Sequence, residues 1–165
     1  RCPDKATAEN IERLFAHLRE ERDSIGGIVT CVVKGMPAGI GEPVFGRIPA
    51  LLAHAMMTIN AAKGFDYGSG FEDIDKRGSE LNDPIHDKWQ ALPKQSPHTV
   101  SNHAGGCLGG ITTGNDIVFR VAFKPTPSIG LGQRHDICIV PRAVSVVQAM
   151  TALTLADLLQ GYAWR

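Results

Sequence analysis

The chain carries no excess of either charge. Its 17 Lys and Arg residues balance 17 Asp and Glu residues over 165 positions. No global field would draw such a chain to nucleic acid or to an anionic membrane, so neither is an expected partner. No apolar run reads as long enough to span a bilayer, and Arg1 opens no signal-peptide pattern. An initiator Met is also missing, which suggests that the sequence begins inside a longer one. Cysteine is scarce: Cys2, Cys31, Cys107 and Cys138 form no CxxC pair or other metal-ligand spacing. Each has apolar or small neighbours. The four therefore read as reduced, mostly buried thiols rather than disulfides or zinc ligands, which implies a cytoplasmic location. Nor do His17, His54, His86, His98, His103 and His135 supply a pair at metal-binding spacing, so no metal is expected. Internal repeats and low-complexity tracts are absent too.

What is abundant is glycine and proline, 18 and 10 residues, which points to tight turns and close backbone approaches rather than disorder. The length fits a single domain able to bury its own core. Asp4 to Glu21 places Ile11, Leu14, Phe15 and Leu18 at helical spacing, with Pro3 and Asp4 suited to the first turn. Gly26-Gly27 breaks that helix. The β-branched run Ile28 to Lys34 then reads as a strand. Gly35 to Gly46 is too punctuated for regular structure. Ile48 to Ile59 is a second helix with Ile48, Leu51, Leu52, Ala55, Met56 and Ile59 on one face, its Met pair filling core. Lys63 to Phe71 reads as a short strand, residues 72–98 as a flexible polar excursion, and Gly105 to Gly114 as a glycine-rich turn region. A strand from Asp116 to Phe123 and a long helix from Arg142 to Leu159 close the chain. That helix would use Val146, Val147, Met150, Leu153 and Leu158. The predicted fold class is α+β, an antiparallel sheet with helices packed on one face.

Three polar segments lie among glycines and apolar runs. Lys124 stands at a strand end beside the rigid Pro125, either as a solvated lysine or as a point charge held against an anion. Thr126 and Ser128 add hydroxyls that could cradle a phosphate or the edge of a flavin. Asn102-His103-Ala104-Gly105-Gly106, followed by Gly109-Gly110, lets backbone approach a ligand closely, yet it equally suits a turn capped by His103. It is not a GxGxxG dinucleotide loop. Arg134-His135-Asp136 sets a planar cation, a titratable ring and a carboxylate side by side. Arg134 could clamp a carboxylate or phosphate, and Asp136 could take or relay a proton. A helix-start turn with local ion pairing would use the same residues.

Four segments in one order resemble chorismate synthases: Gly39-Ile40-Gly41-Glu42-Pro43-Val44-Phe45, Ser101 to Gly106, Lys124-Pro125-Thr126-Pro127-Ser128-Ile129, and Arg134-His135-Asp136-Ile137-Cys138. The resemblance covers about the C-terminal half of that family's chain. It implies an enzyme that eliminates phosphate from 5-enolpyruvylshikimate 3-phosphate to give chorismate, with reduced FMN (FMNH2) as catalyst, and a β-α-β sandwich assembled as a homotetramer. It also implies flavin contacts at Asn60, Ala61, Gly109, Lys124, Pro125, Thr126, Pro127, Ser128 and Arg134. Asp136 and Arg134 become the catalytic candidates, with His103 behind them.

The chain departs from the family pattern in several places. Ile137 stands where Pro is common, and Gln148 where Glu is usual. The family's N-terminal motifs have no counterpart here. Only Gly130 to Gln133 separate the lysine segment from Arg134, where the family has a longer one, so a loop missing from the sequence at the Gln133–Arg134 junction is expected, with a true deletion as the alternative. An isolated half is expected to be inactive. A non-catalytic flavin-binding or oligomerisation fragment is the alternative reading.

Overall fold

In the computed structural model, residues 4–85, 99–127 and 136–163 are described. The order of elements is helix α1 (Lys5–Glu21), strand β1 (Gly27–Val33), helix α2 (Ile48–Met57), strand β2 (Ala62–Tyr67), strands β3 (Cys107–Leu108) and β4 (Ile111–Thr112), strand β5 (Ile117–Phe123), and helix α3 (Val140–Ala163). The α+β expectation holds: β1, β5 and β2 form one antiparallel sheet in that order, with α2 and α3 against it.

Strand β5 is central because its sequence alternates. Ile117, Phe119, Val121 and Phe123 are all buried on one face, while Val118, Arg120 and Ala122 point the other way. Val121 pairs with Val29 of β1 and Phe65 of β2. The Phe65 and Phe119 rings stack with centroids 5.4 Å apart. Ile48, Leu52, Ala55 and Met56 of α2 and Ala143, Val147 and Leu155 of α3 complete the core. Burying each larger side chain of this set contributes about 1.5–3 kcal/mol. On the opposite face, Arg120 pairs with Asp66 at 2.5 Å and with Glu72. The hydrogen bond from Arg120 holds the Glu72 carboxyl below its usual range and anchors the turn after β2.

Several expectations need correction. Helix α1 forms as read, with the Asp4 carboxylate accepting from Thr7 N–H at 2.6 Å, but of its apolar stripe only Leu18 is buried. Ile11 and Leu14 stay exposed, because α1 makes no extensive contact with the sheet or the other helices among the described residues. Met56 fills core whereas Met57 is exposed. Helix α3 begins at Val140; of its five expected inner residues Val147 is buried and Met150 and Leu158 pack against the core, while Val146 and Leu153 are exposed and Ala143, Thr151 and Leu155 complete the buried stripe. The shift has a simple cause: α3 is apolar on nearly every side, so periodicity alone does not choose its inner face. That same composition makes Val140–Tyr162 long and apolar enough to cross a membrane, contrary to the sequence reading. Here it packs as the core helix of the sheet layer.

The glycine-rich turn region contains a β3–β4 hairpin that was not anticipated. Gly109 and Gly110 make its tight turn with φ of 62° and 95°, the left-handed pair that two-residue hairpins require. The Gly110 carbonyl accepts from Ile48 N–H at 2.9 Å, seating the hairpin on the N-terminal end of α2. Strand β2 stops at Tyr67, and residues 70–73 form a short 3-10 turn instead. Of the expected excursion at 72–98, residues 86–98 lie outside the described residues.

Candidate functional site

The end of β5 brings the lysine segment against the chain leaving α2. Lys124 N–H donates to the Ala61 carbonyl at 3.0 Å, so two of the sequence-selected segments meet although 63 positions separate them. Ala61 has φ of 68°, a left-handed conformation that costs a non-glycine residue about 1–2 kcal/mol. Such strain persists only where the surroundings impose it, and it is common at ligand sites. Lys124, Pro125 and Pro127 are exposed; Thr126 is half-buried. Its Oγ1 is buried and has no hydrogen-bond partner among the described residues. A buried hydroxyl without a partner suits a ligand that brings a polar edge to it.

The third segment arrives from the start of α3. Asp136 accepts from Arg142 Nη1 at 2.8 Å, which fixes the carboxylate in front of the helix. Asn60 and Arg142 rim a cavity of about 370 Å³ whose wall includes Phe123, Ile139, Val146 and Met150. The cavity therefore has a mostly apolar floor with an amide and a guanidinium at its mouth, a suitable lining for a planar ring system with polar substituents. Ser128 and Arg134 lie outside the described residues.

A loop that the sequence reading treated only as a helix breaker ties these parts together. Ser24 Oγ donates to the Thr126 carbonyl at 2.7 Å, and Ile25 N–H donates to the Ile137 carbonyl at 2.8 Å. Gly26 lies so close to the strand end that a Cβ there would stand 2.3 Å from the Phe123 carbonyl oxygen. Ser24 and Arg142 are thus the site residues that sequence reasoning missed. A Ser beside a Gly-Gly pair gave a partial signal; the Asp136–Arg142 pair, six residues apart, gave none.

Gly109 is not part of this cluster. Its hairpin sits at the N-terminal end of α2, whereas Asn60 and Ala61 follow the C-terminal end. A ten-residue helix separates the two by about 15 Å. His103 is also distant, near the start of β5. Gly68 N–H donates there to the Val118 carbonyl, and the His103 ring Nδ1 lies 2.9 Å from Ser69 Oγ. The loop carrying His103 is braced by Asp83, which accepts from His103 N–H at 2.9 Å, Ala104 N–H at 2.8 Å and Ser101 Oγ at 2.7 Å. Burial alone would raise the Asp83 carboxyl. The three hydrogen bonds and the nearby His103 together overcome it and hold the group below its usual range. Burial pushes the Cys107 thiol up to about 11, so it is an inert core group.

The fold and this cluster define a class: an α+β unit whose central strand runs from Phe123, in the wall of an open apolar groove, into a proline-stiffened polar segment. Comparison with known proteins narrows the class. A sequence profile of the chorismate synthase family matches residues 1–134. Chorismate synthase from Parabacteroides distasonis is 47% identical over 175 aligned positions, covering 96% of this chain and 48% of the relative. That from Methanosarcina barkeri is 49% identical, covering 95% and 46%. A crystal structure of chorismate synthase superposes with a TM-score of 0.81 at 35% identity, covering 93% of this chain and 43% of that one. The chain belongs to the chorismate synthase family. It spans about half the length of the curated relatives it matches.

Proposed function

We propose that this chain supplies the flavin-facing part of an enzyme that eliminates phosphate from 5-enolpyruvylshikimate 3-phosphate to give chorismate. Reduced FMN, held by Asn60, Ala61, Lys124 and Thr126, would supply transient electron density to the substrate as its C–O bond to phosphate breaks, and would regain it as the ring C–H bond breaks, so that the reaction has no net oxidation. The observation that carries the reading is the convergence of Ala61, Lys124 and Thr126, with the unpartnered Thr126 hydroxyl among them.

Each residue has a task within that reading. Lys124 offers a point charge to an anionic group of flavin or substrate, on a backbone stiffened by Pro125 and Pro127. Asn60 and Ala61 present amide and backbone groups to the flavin edge, and Thr126 gives it a hydroxyl. Asp136, oriented by Arg142, takes or relays the ring proton that leaves with the phosphate. Arg134 and Ser128 join the anion-binding set. Gly109 reaches a flavin only where a long ligand or a second subunit spans the length of α2. A cytoplasmic homotetramer, without membrane or nucleic-acid partner, completes the proposal.

The half-length match favours one further reading, a non-catalytic flavin-binding or oligomerisation fragment. An anaerobic assay with the substrate and chemically reduced FMN, following chorismate, separates the two. The complete polypeptide should turn over and the 165-residue chain alone should not. Flavin binding by the complete polypeptide without chorismate formation would favour the second reading.

A further inference from the structure

Three consecutive residues, Ser24, Ile25 and Gly26, touch both segments of the proposed site. Ser24 binds the Thr126 carbonyl, Ile25 binds the Ile137 carbonyl one residue from Asp136, and Gly26 sits against Phe123. Thr126 lies between two prolines. A residue before proline is confined to extended backbone, so its φ and ψ have little freedom. Pro127 has no N–H, which leaves the Thr126 carbonyl as the sole hydrogen-bonding group of that peptide unit. Ser24 takes that group at 2.7 Å, across 102 positions of sequence. The plane of the 126–127 peptide is thereby set from outside the segment, and with it the direction of the Thr126 side chain. What remains is the buried Oγ1, unpartnered among the described residues.

We propose that Ser24 is a positioning residue for the flavin site, holding Thr126 so that its hydroxyl meets a polar atom of the bound flavin. The proposal rests on the functional reading above, and it concerns a residue that touches neither flavin nor substrate. Ser24 acts through Thr126, so the two side chains form one unit and their effects on flavin binding should not add.

The test is an FMN titration of the complete enzyme, read by the change in visible flavin absorbance, with the thermal midpoint of the flavin-free protein measured in parallel. Ser24→Ala should weaken FMN binding about three- to tenfold, the range expected for one hydrogen bond. Ser24→Thr, which keeps the hydroxyl, should restore it. Thr126→Val should weaken binding by a similar factor, and adding Ser24→Ala to Thr126→Val should weaken it no further. Binding by Ser24→Ala within twofold of wild type would overturn the proposal, as would full additivity in the double variant. If Ser24→Ala does not fold, Thr126→Val decides alone: wild-type affinity in that variant is the refuting result. A wild-type enzyme that fails to bind FMN would instead sink the functional reading, and the proposal with it.

Discussion

Substituting Gly26 by Ala should loosen the candidate site more than any exposed glycine substitution. A Cβ at this position would stand 2.3 Å from the Phe123 carbonyl oxygen, 3.1 Å from Pro125 N and 3.2 Å from the Lys124 carbonyl carbon. All three are backbone atoms, so no side chain can swing away. Ordinary contact begins near 3.4 Å, and the loop or the strand end must therefore move by about 1 Å. Such a shift stretches both the 2.7 Å bond from Ser24 and the 2.8 Å bond from Ile25 beyond useful range. Losing two hydrogen bonds at about 0.5–1.5 kcal/mol each adds to an overpacking cost of about 1–3 kcal/mol. A stiffer unfolded chain returns about 0.4–1 kcal/mol. The net expectation is a loss of about 3 kcal/mol. Urea unfolding of the complete polypeptide, followed by circular dichroism, measures it. Gly78→Ala is the control, because nothing lies within 4 Å of a Cβ there. Equal midpoints for the two variants would refute the close-approach argument.

Other perturbations probe the remaining layers. Phe119→Ala removes a fully buried ring stacked on Phe65 and should cost about 3–5 kcal/mol in the same unfolding assay; a loss below 1 kcal/mol would contradict its central place. Asp83 has a lowered carboxyl pKa, so its stabilising contribution is complete above the unfolded value of about 3.9 and lost as pH falls through the lower folded value. The amide NMR signals of His103 and Ala104 should therefore titrate with a midpoint below pH 3.9, and a midpoint above it would be incompatible with the bracing described. The 165-residue chain alone exposes Val144, Val146, Leu153 and Leu159 of α3 and should self-associate in light scattering; a monodisperse monomer would count against this.

Strand β5 was legible because Ile-Val-Phe-Arg-Val-Ala-Phe alternates with the period of a half-buried strand. Helix α1 was equally legible, from its spacing and from the acid that caps it, but spacing says nothing of what covers Ile11 and Leu14. The β3–β4 hairpin escaped because strands of two residues carry no periodicity, leaving only the Gly109-Gly110 pair as a signal. At the site, residue chemistry marked Lys124, Thr126 and Asp136, and only the family resemblance supplied Asn60 and Ala61. Their meeting is a long-range fact: it depends on β5 ending beside the residues that follow α2. The clamp by Ser24 is longer-range still. Gly109 shows the converse, a motif residue near in sequence to the site loops yet placed at the other end of a helix.

The most direct test of the account is a structure of the complete polypeptide with FMN bound. The flavin should lie beside Ala61 and Lys124, with one of its polar atoms within about 3 Å of Thr126 Oγ1 and Asp136 facing its ring. A flavin bound elsewhere, with the Thr126 hydroxyl bonded instead to protein, would contradict it.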